Sequence, residues 1–337
     1  MKNVSKLFLA CFFILAFTIT GEAANKAKTI HIGVSLPTQR DERWVRDAAK
    51  IRELAKAEGD IKLSMQISDN DAAKQMSQCE NLLASGIDIL ILAPHDATSA
   101  SAIVDNAHKY GVKVISYDRL VLDADVDLYV SFDNVQVGRL QGEYLTKLVP
   151  KGRYVILGGA PTDNNAKLFK QGAMEIIQPF VDKGDIKIVM DQWITDWQPT
   201  VAMNLIQNAL TANDNKIDAV LAPNDNTAGG VIQALEQVGL AGKIPVTGQD
   251  SEVTAAKRIV QGKQAMTVFK DTRLLATDAM QAAVKMVKGE NPGVDTKINN
   301  NKIDVPTILV SPVIVDKNNI DAVLIDSGYL KKSEVYN

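Results

Sequence analysis

At 337 residues the chain is long enough for two domains of about 150 residues each. Its make-up, 46% hydrophobic and 23% charged with 21 glycines and 11 prolines, is that of a globular protein and excludes a disordered or fibrous chain. The 37 basic residues are balanced by 40 acidic ones and form no dense basic block, so nucleic acid is not an expected partner.

Lys2 and Lys6 precede a mainly apolar stretch, residues 7–19, whose 13 residues suit an export signal. That stretch falls short of the ~20 residues that span a bilayer. Gly21-Glu22-Ala23 places small residues around a cleavage point, so residues 1–23 are expected to be a signal peptide cut after Ala23. Phe8-Leu9-Ala10-Cys11 faintly imitates a lipoprotein box, but cutting there would leave a hydrophobic region of only four residues. Cleavage after Ala23 also removes Cys11 and leaves Cys79, expected as a small apolar residue on a helix.

Residues 29–36 read as a strand, 42–57 as a helix with apolar positions Val45, Ala48, Ala49 and Leu54, and 63–68 as a second strand. Residues 71–85 are then helical, 87–93 form an unbroken apolar run of the kind buried on both faces of a sheet, 98–110 are helical and 112–117 make another strand. Gly86 and Gly111 stop the two helices. The second half repeats the cycle, with strands near 154–157, 186–190, 219–222 and 246–248 and helices near 166–178, 199–212, 227–238 and 253–261. Such alternation predicts an α/β fold of parallel sheets covered on both faces.

An internal echo sharpens this. Ile87-Asp88-Ile89-Leu90-Ile91-Leu92-Ala93-Pro94-His95-Asp96-Ala97-Thr98 recurs about 130 residues later as Ile217-Asp218-Ala219-Val220-Leu221-Ala222-Pro223-Asn224-Asp225-Asn226-Thr227. Each copy leads through a helix to a strand that ends in aspartate, Val114-Ile115-Ser116-Tyr117-Asp118 and Val246-Thr247-Gly248-Gln249-Asp250. Two similar, doubly wound lobes are the expectation.

Open α/β sheets bind ligands outside the carboxyl ends of their strands. The polar and aromatic residues there are Arg43, Trp44, Asp118, Arg119, 163–165, Trp193, Trp197, Asn224, Asp225, Asp250 and Lys270. Any one alone is a solvated loop residue or a helix cap. Together they combine carboxylate acceptors, amides, cationic donors and indole faces, the chemistry that grips vicinal hydroxyls and covers the apolar face of a sugar ring. A pentose of about ten heavy atoms held at micromolar strength needs roughly −0.8 kcal/mol per atom, which favours enclosure between hinged lobes over an open groove.

Other chemistries fit poorly. Ile32-Gly33-Val34-Ser35-Leu36 has one glycine where a dinucleotide fingerprint needs three, and Gly242-Lys243 is followed by Ile244, so it is not a phosphate loop. His31, His95 and His108 are dispersed, and no metal or cofactor is expected. Asp123, Asp125 and Asp127 imitate a calcium loop whose sixth and twelfth positions are Leu128 and Asn134, where glycine and glutamate are required. Asp118 and Asp250 as a glycosidase pair lack a hydrolase motif, and neighbouring cations favour their ionised forms. The expectation is a binding protein and not an enzyme.

The chain after residue 23 resembles the periplasmic sugar-binding proteins of ABC importers, of the ribose, galactose and xylose type. The resemblance rests on Asp41-Glu42-Arg43-Trp44, Val114-Ile115-Ser116-Tyr117-Asp118-Arg119, Ser131-Phe132-Asp133-Asn134, the run from Gly158-Gly159-Ala160-Pro161-Thr162-Asp163 to Asn164-Asn165-Ala166-Lys167-Leu168-Phe169, Gln192-Trp193, Ala209-Leu210-Thr211-Ala212-Asn213 and Thr247-Gly248-Gln249-Asp250. It implies a monosaccharide ligand, D-xylose first, with ribose, arabinose or glucose left open. Arg43, Asp118, Arg119, Asp163, Asn165, Asn224, Asp250 and Lys270 would hold the sugar, and Trp44 and Trp197 would cover its ring. It also implies a periplasmic monomer that delivers to a membrane permease, with a chemoreceptor as an alternative partner. A sugar-responsive repressor shares this two-lobe fold, but here an export signal stands where its DNA-binding headpiece would be. Three crossings between lobes are implied, near Asn134, Asp271 to Arg273 and Val305 to Thr307. They give a first lobe of 28–134 plus 273–305 and a second of 135–272 plus 306–330.

Overall fold

A computed structural model describes residues 29–337; the expected signal peptide, 1–23, and Cys11 lie outside the described residues. The chain opens with β1 (Ile30–Leu36), α1 (Glu42–Glu58), β2 (Ile61–Ile67), α2 (Ala72–Ala84), β3 (Ile89–Leu92), α3 (Ser101–Lys109), β4 (Lys113–Tyr117) and β5 (Leu128–Phe132). It continues through α4 (Asn134–Leu148), β6 (Gly152–Gly158), α5 (Asn164–Asp182), β7 (Ile186–Trp193), α6 (Pro199–Ala212), β8 (Ala219–Leu221), α7 (Asp225–Gln237), α8 (Val253–Val260) and β9 (Thr267–Phe269). The last stretch holds α9 (Thr272–Lys288), β10 (Thr296–Asn299), β11 (Asp304–Val310), β12 (Val313–Val315) and α10 (Lys332–Tyr336).

Two lobes result. The first sheet runs β10-β11-β5-β4-β3-β1-β2 and is parallel except for β10, which lies antiparallel on β11. The second runs β7-β6-β8 in parallel and continues by single bridges, Val220 to Val246 and Gln249 to Val268, to β9 and its antiparallel partner β12. Of residues 246–248, expected as a strand, only Val246 makes a bridge. Both lobes place their first strand between the second and third, so the strand order reverses at the same point, and such a reversal opens a crevice at the carboxyl edge.

Alternation along single strands explains why both faces are covered. Ile89 and Ile91 enter a core with Trp44, Ile51 and Leu275 from α1 and α9, while Leu90 and Leu92 enter another with Leu82, Ile103 and Val104 from α2 and α3. In the second lobe Val155 and Leu157 face α6 and α7, and Tyr154 and Ile156 face α4 and α5. Each fully buried aliphatic side chain contributes roughly 1.5–3 kcal/mol. Within α1 the buried apolar face is Trp44, Ala48, Ile51 and Ala55, a helical period that starts one residue before Val45. Val45, at 46% exposure, and Ala49 therefore lie on the outer face, contrary to the expected apolar stripe.

The chain changes lobe between β5 and α4 and again between β9 and α9, because α4 packs on α5, β8 and β9 whereas α9 packs on α1 and the first sheet. The third crossing differs from the expectation. Residues 305–307 lie inside β11, hydrogen-bonded to β5 of the first sheet, so the chain leaves that lobe between Val310 and Val313, and 306–310 belong to the first lobe. Close helix packing anchors the first crossing, since a Cβ on Gly138 of α4 would lie 1.9 Å from the Phe169 carbonyl oxygen and one on Gly172 of α5 2.0 Å from that of Val135.

Candidate ligand site in the cleft

The carboxyl edges of the two sheets face each other across one small cavity. Arg43 and Trp44 enter it from α1, Asp118 and Arg119 from the turn after β4, and Asp163 and Asn165 from the start of α5. Trp197, Asn224, Asp250 and Lys270 complete the expected set, and all ten line this one space. Asp41, Phe169 and Gln249 line it too and were not expected as site residues, although each sits in a segment that carries the family resemblance. Trp193 is not brought in; it is 36% exposed, with the Lys170 ammonium 4.6 Å from its ring centroid.

The two strand-end aspartates are structural equivalents. Asp118 and Asp250 both take positive φ, 61° and 96°, and each donates its backbone N–H to the next strand, at Val130 (2.8 Å) and Val268 (2.9 Å). Positive φ is uncommon for residues other than glycine, and it clusters where a site requires a particular side-chain direction. Here it accompanies two carboxylates that line the cavity.

Nearly every polar group in the cavity has a partner. Arg43 Nη1 donates to Asp118 Oδ2 at 2.6 Å, and its Nε and Nη2 donate to Asp47 Oδ2 at 3.1 and 2.8 Å. Asp47 accepts in turn from the Tyr117 hydroxyl. Across the cleft, Arg119 Nε lies 2.8 Å from Asp163 Oδ2, which also accepts from Trp197 Nε1 at 3.2 Å. Asn165 Nδ2 donates to the Asp118 carbonyl at 2.9 Å, and Lys270 Nζ pairs with Asp250 Oδ1 at 2.9 Å. Burial pushes the Asp118 carboxyl up, but Arg43 and then Lys270 outweigh it and hold the group below its usual range. Asp163 is raised by burial, with Arg119 opposing.

Aromatic faces are fixed as firmly. The Arg43 guanidinium lies 4.0 Å from the Trp44 ring centroid, and Phe169 meets Trp197 edge-on at 6.4 Å. A Cβ on Gly159 would come within 2.1 Å of the Trp197 ring, so glycine there lets the indole lie against the backbone.

The lobes are closed. Arg40 Nη2 donates to the Asp196 carbonyl at 2.6 Å, Asn226 Nδ2 to Asp41 Oδ1 at 2.7 Å, Val253 N–H to Glu42 Oε2 at 3.0 Å, and Ala97 N–H to the Thr162 carbonyl at 2.9 Å. The space they enclose offers carboxylate acceptors, amide and cationic donors and two indoles, so it can bind a small, neutral, polyhydroxylated ring.

Comparison with known proteins agrees with this geometry. Residues 32–291 match the family model described as the periplasmic binding protein domain. The chain belongs to the periplasmic binding protein family. Among other members, it is 44% identical over 99% of its length to the whole D-xylose-binding periplasmic protein of Escherichia coli strain K12. It is 36% identical, over 99% of this chain and all of the relative, to the multiple sugar-binding periplasmic receptor of Rhizobium radiobacter. A solved carbohydrate transporter solute-binding protein of Chloroflexus aurantiacus, in complex with D-glucose, superposes with a TM-score of 0.86 at 36% identity, covering 90% of this chain and 97% of that one.

Proposed function

We propose that this periplasmic binding protein captures a monosaccharide, D-xylose, between its closing lobes and delivers it to the permease of an ABC importer. The observation that carries the reading is the closed cleft. Both lobes contribute charged groups to one small cavity, the second adds amides, and the indoles of Trp44 and Trp197 line it. The choice of D-xylose is supported by the 44% identity to the Escherichia coli relative over essentially the full length of both chains. Arg43, Asp118 and Arg119 would hold hydroxyls from the first lobe, and Asp163, Asn165, Asn224, Asp250 and Lys270 from the second. Sugar that binds only the closed form shifts the lobes toward it, and the closed surface is what a permease can read.

Electrostatics at one position support binding over turnover. Asp118 is held ionised by Arg43 and Lys270, which denies a hydrolase its proton-donating carboxyl at that position. A broader sugar preference is the second reading, favoured by the D-glucose complex of the Chloroflexus aurantiacus protein.

Calorimetric titration of the protein lacking residues 1–23 with D-xylose, ribose, arabinose, glucose and galactose tests both. One-to-one, micromolar or tighter binding of D-xylose with no heat of turnover is expected. Comparable binding of D-glucose beside D-xylose would favour the second reading, silence toward D-xylose with a response to another of the five would replace the named ligand, and silence toward all five would remove the sugar-binding reading.

A further inference from the structure

We propose that the Gln249 side-chain amide contacts a sugar hydroxyl directly and makes tight binding depend on that hydroxyl. The proposal rests on the sugar-binding reading and adds to it a residue that neither the sequence pattern nor the comparisons assign.

Gln249 is the last residue before Asp250, and its backbone is pinned by a bridge to Val268 and by its carbonyl, which accepts the Asp225 N–H at 3.0 Å. The side chain is therefore delivered to a fixed place. It is 1% exposed, lines the cavity, and its Oε1 has no hydrogen-bond partner. Around it the other cavity groups are engaged: Arg43 with Asp118 and Asp47, Arg119 and Trp197 with Asp163, Asn165 with Asp118. Asp250 Oδ1 lacks hydrogen-bond geometry as well, yet lies 2.9 Å from the Lys270 ammonium. The remaining unpaired buried atoms, such as those of His95, Ser251 and Glu252, belong to residues that do not line the cavity.

The internal repeat makes the contrast sharper. Tyr117 precedes Asp118 as Gln249 precedes Asp250, and the Tyr117 hydroxyl is satisfied by Asp47. The same position is thus bonded to Asp47 in the first lobe, whereas in the second its amide oxygen is left without a partner. Buried polar groups nearly always have partners, and an orphaned acceptor is costly. A sugar hydroxyl donating to Oε1 supplies the missing bond, so closing around sugar satisfies an amide that closing around nothing leaves unpaired. A site built this way rejects the analogue that lacks that hydroxyl.

The test titrates wild type, Gln249→Leu and Gln249→Ala with D-xylose and its 2-, 3- and 4-deoxy analogues, or with D-glucose and its deoxy analogues should glucose be the ligand. Thermal unfolding without sugar reports on folding. Wild type should bind one analogue at least tenfold more weakly than the parent sugar. Both variants should bind the parent sugar at least tenfold more weakly than wild type does, and should no longer distinguish that one analogue from the parent. The proposal is overturned if either folded variant binds the parent sugar within threefold of wild type, or if the variants keep the full wild-type discrimination against every analogue. Failure of wild type to bind any sugar is a different result, which removes the functional reading and this proposal with it.

Discussion

The two lobes share a strand order and a strand-end aspartate but differ in how their site groups are held. In the first lobe Arg43, Asp47, Tyr117 and Asp118 form one buried network whose members all belong to that lobe. In the second, Asp163 caps its own helix through the Asn165 N–H and spends its other oxygen on Trp197 and, across the cleft, on Arg119. The Arg43 network thus lies within one lobe, whereas the Asp163–Arg119 pair and the Asn165–Asp118 bond join the two. Duplicated folds can thus keep a geometry while dividing its tasks.

The largest effects should come from the equivalent aspartates. A hydrogen bond to a charged group is worth about 1.5–3 kcal/mol, so Asp118→Ala and Asp250→Ala should each weaken sugar binding by about 10- to 100-fold. Their thermal stabilities without sugar should differ. Arg43 keeps Asp47 when Asp118 is removed, whereas Lys270 loses its ion pair with Asp250 and remains buried. Asp250→Ala should therefore melt lower, and calorimetry beside thermal unfolding checks it. Equal melting points would break the comparison, and a threefold or smaller loss of affinity in Asp250→Ala would remove it as an anchor.

A smaller effect is expected at the glycine beneath Trp197. Gly159→Ala places a Cβ within 2.1–2.4 Å of the indole and must displace it, which should weaken binding about tenfold, or ~1.4 kcal/mol. In a Trp197→Ala background the same change should cost little, because residues in contact are not additive. An additive double-mutant cycle, read by titration, would place the glycine's effect somewhere other than the indole.

Much of this was legible in the sequence. The period-two burial of β3 followed from its unbroken apolar run, and the repeat of Ile87–Thr98 at Ile217–Thr227 carried the two-lobe arrangement, because the same composition at the same place in a cycle folds the same way. All ten expected residues line one cavity. What escaped depends on long-range pairing. β10 and β11 join the first sheet from the far end of the chain, and nothing local marks 304–310 as first-lobe residues. Gln249 escaped because an amide beside an aspartate reads as ordinary strand-end polarity until its lack of a partner is seen. Val45 was misplaced because hydrophobicity alone does not set the phase of a helix whose buried face also holds Arg43 and Asp47.

The mildest prediction concerns pH and sharpens the contrast between lobes held apart and lobes closed. Glu252, at the start of α8, is pushed up to about 9 by burial and then by Asp225, Asp250, Asp41 and Glu42. Asp225 and Asp250 belong to its own lobe, but Asp41 and Glu42 are brought up by the first lobe. Nearby cations are already committed: Arg40 to Asp41, Arg46 to Glu42, Lys270 to Asp250, and Arg258 to the Asp225 carbonyl. Opening the cleft removes the first-lobe carboxylates, which lowers this value. The closed form then binds more protons than the open form, so rising pH disfavours closure up to about 9. Asp118 acts oppositely: its carboxyl is held low, so the binding it supports is lost as pH falls through that depressed range. Sugar affinity should therefore be greatest in mildly acidic buffer and decline several-fold toward pH 9 by titration. Glu252→Gln, which stays neutral throughout, should flatten the alkaline limb; an unchanged limb in that variant would show that Glu252 does not sense closure.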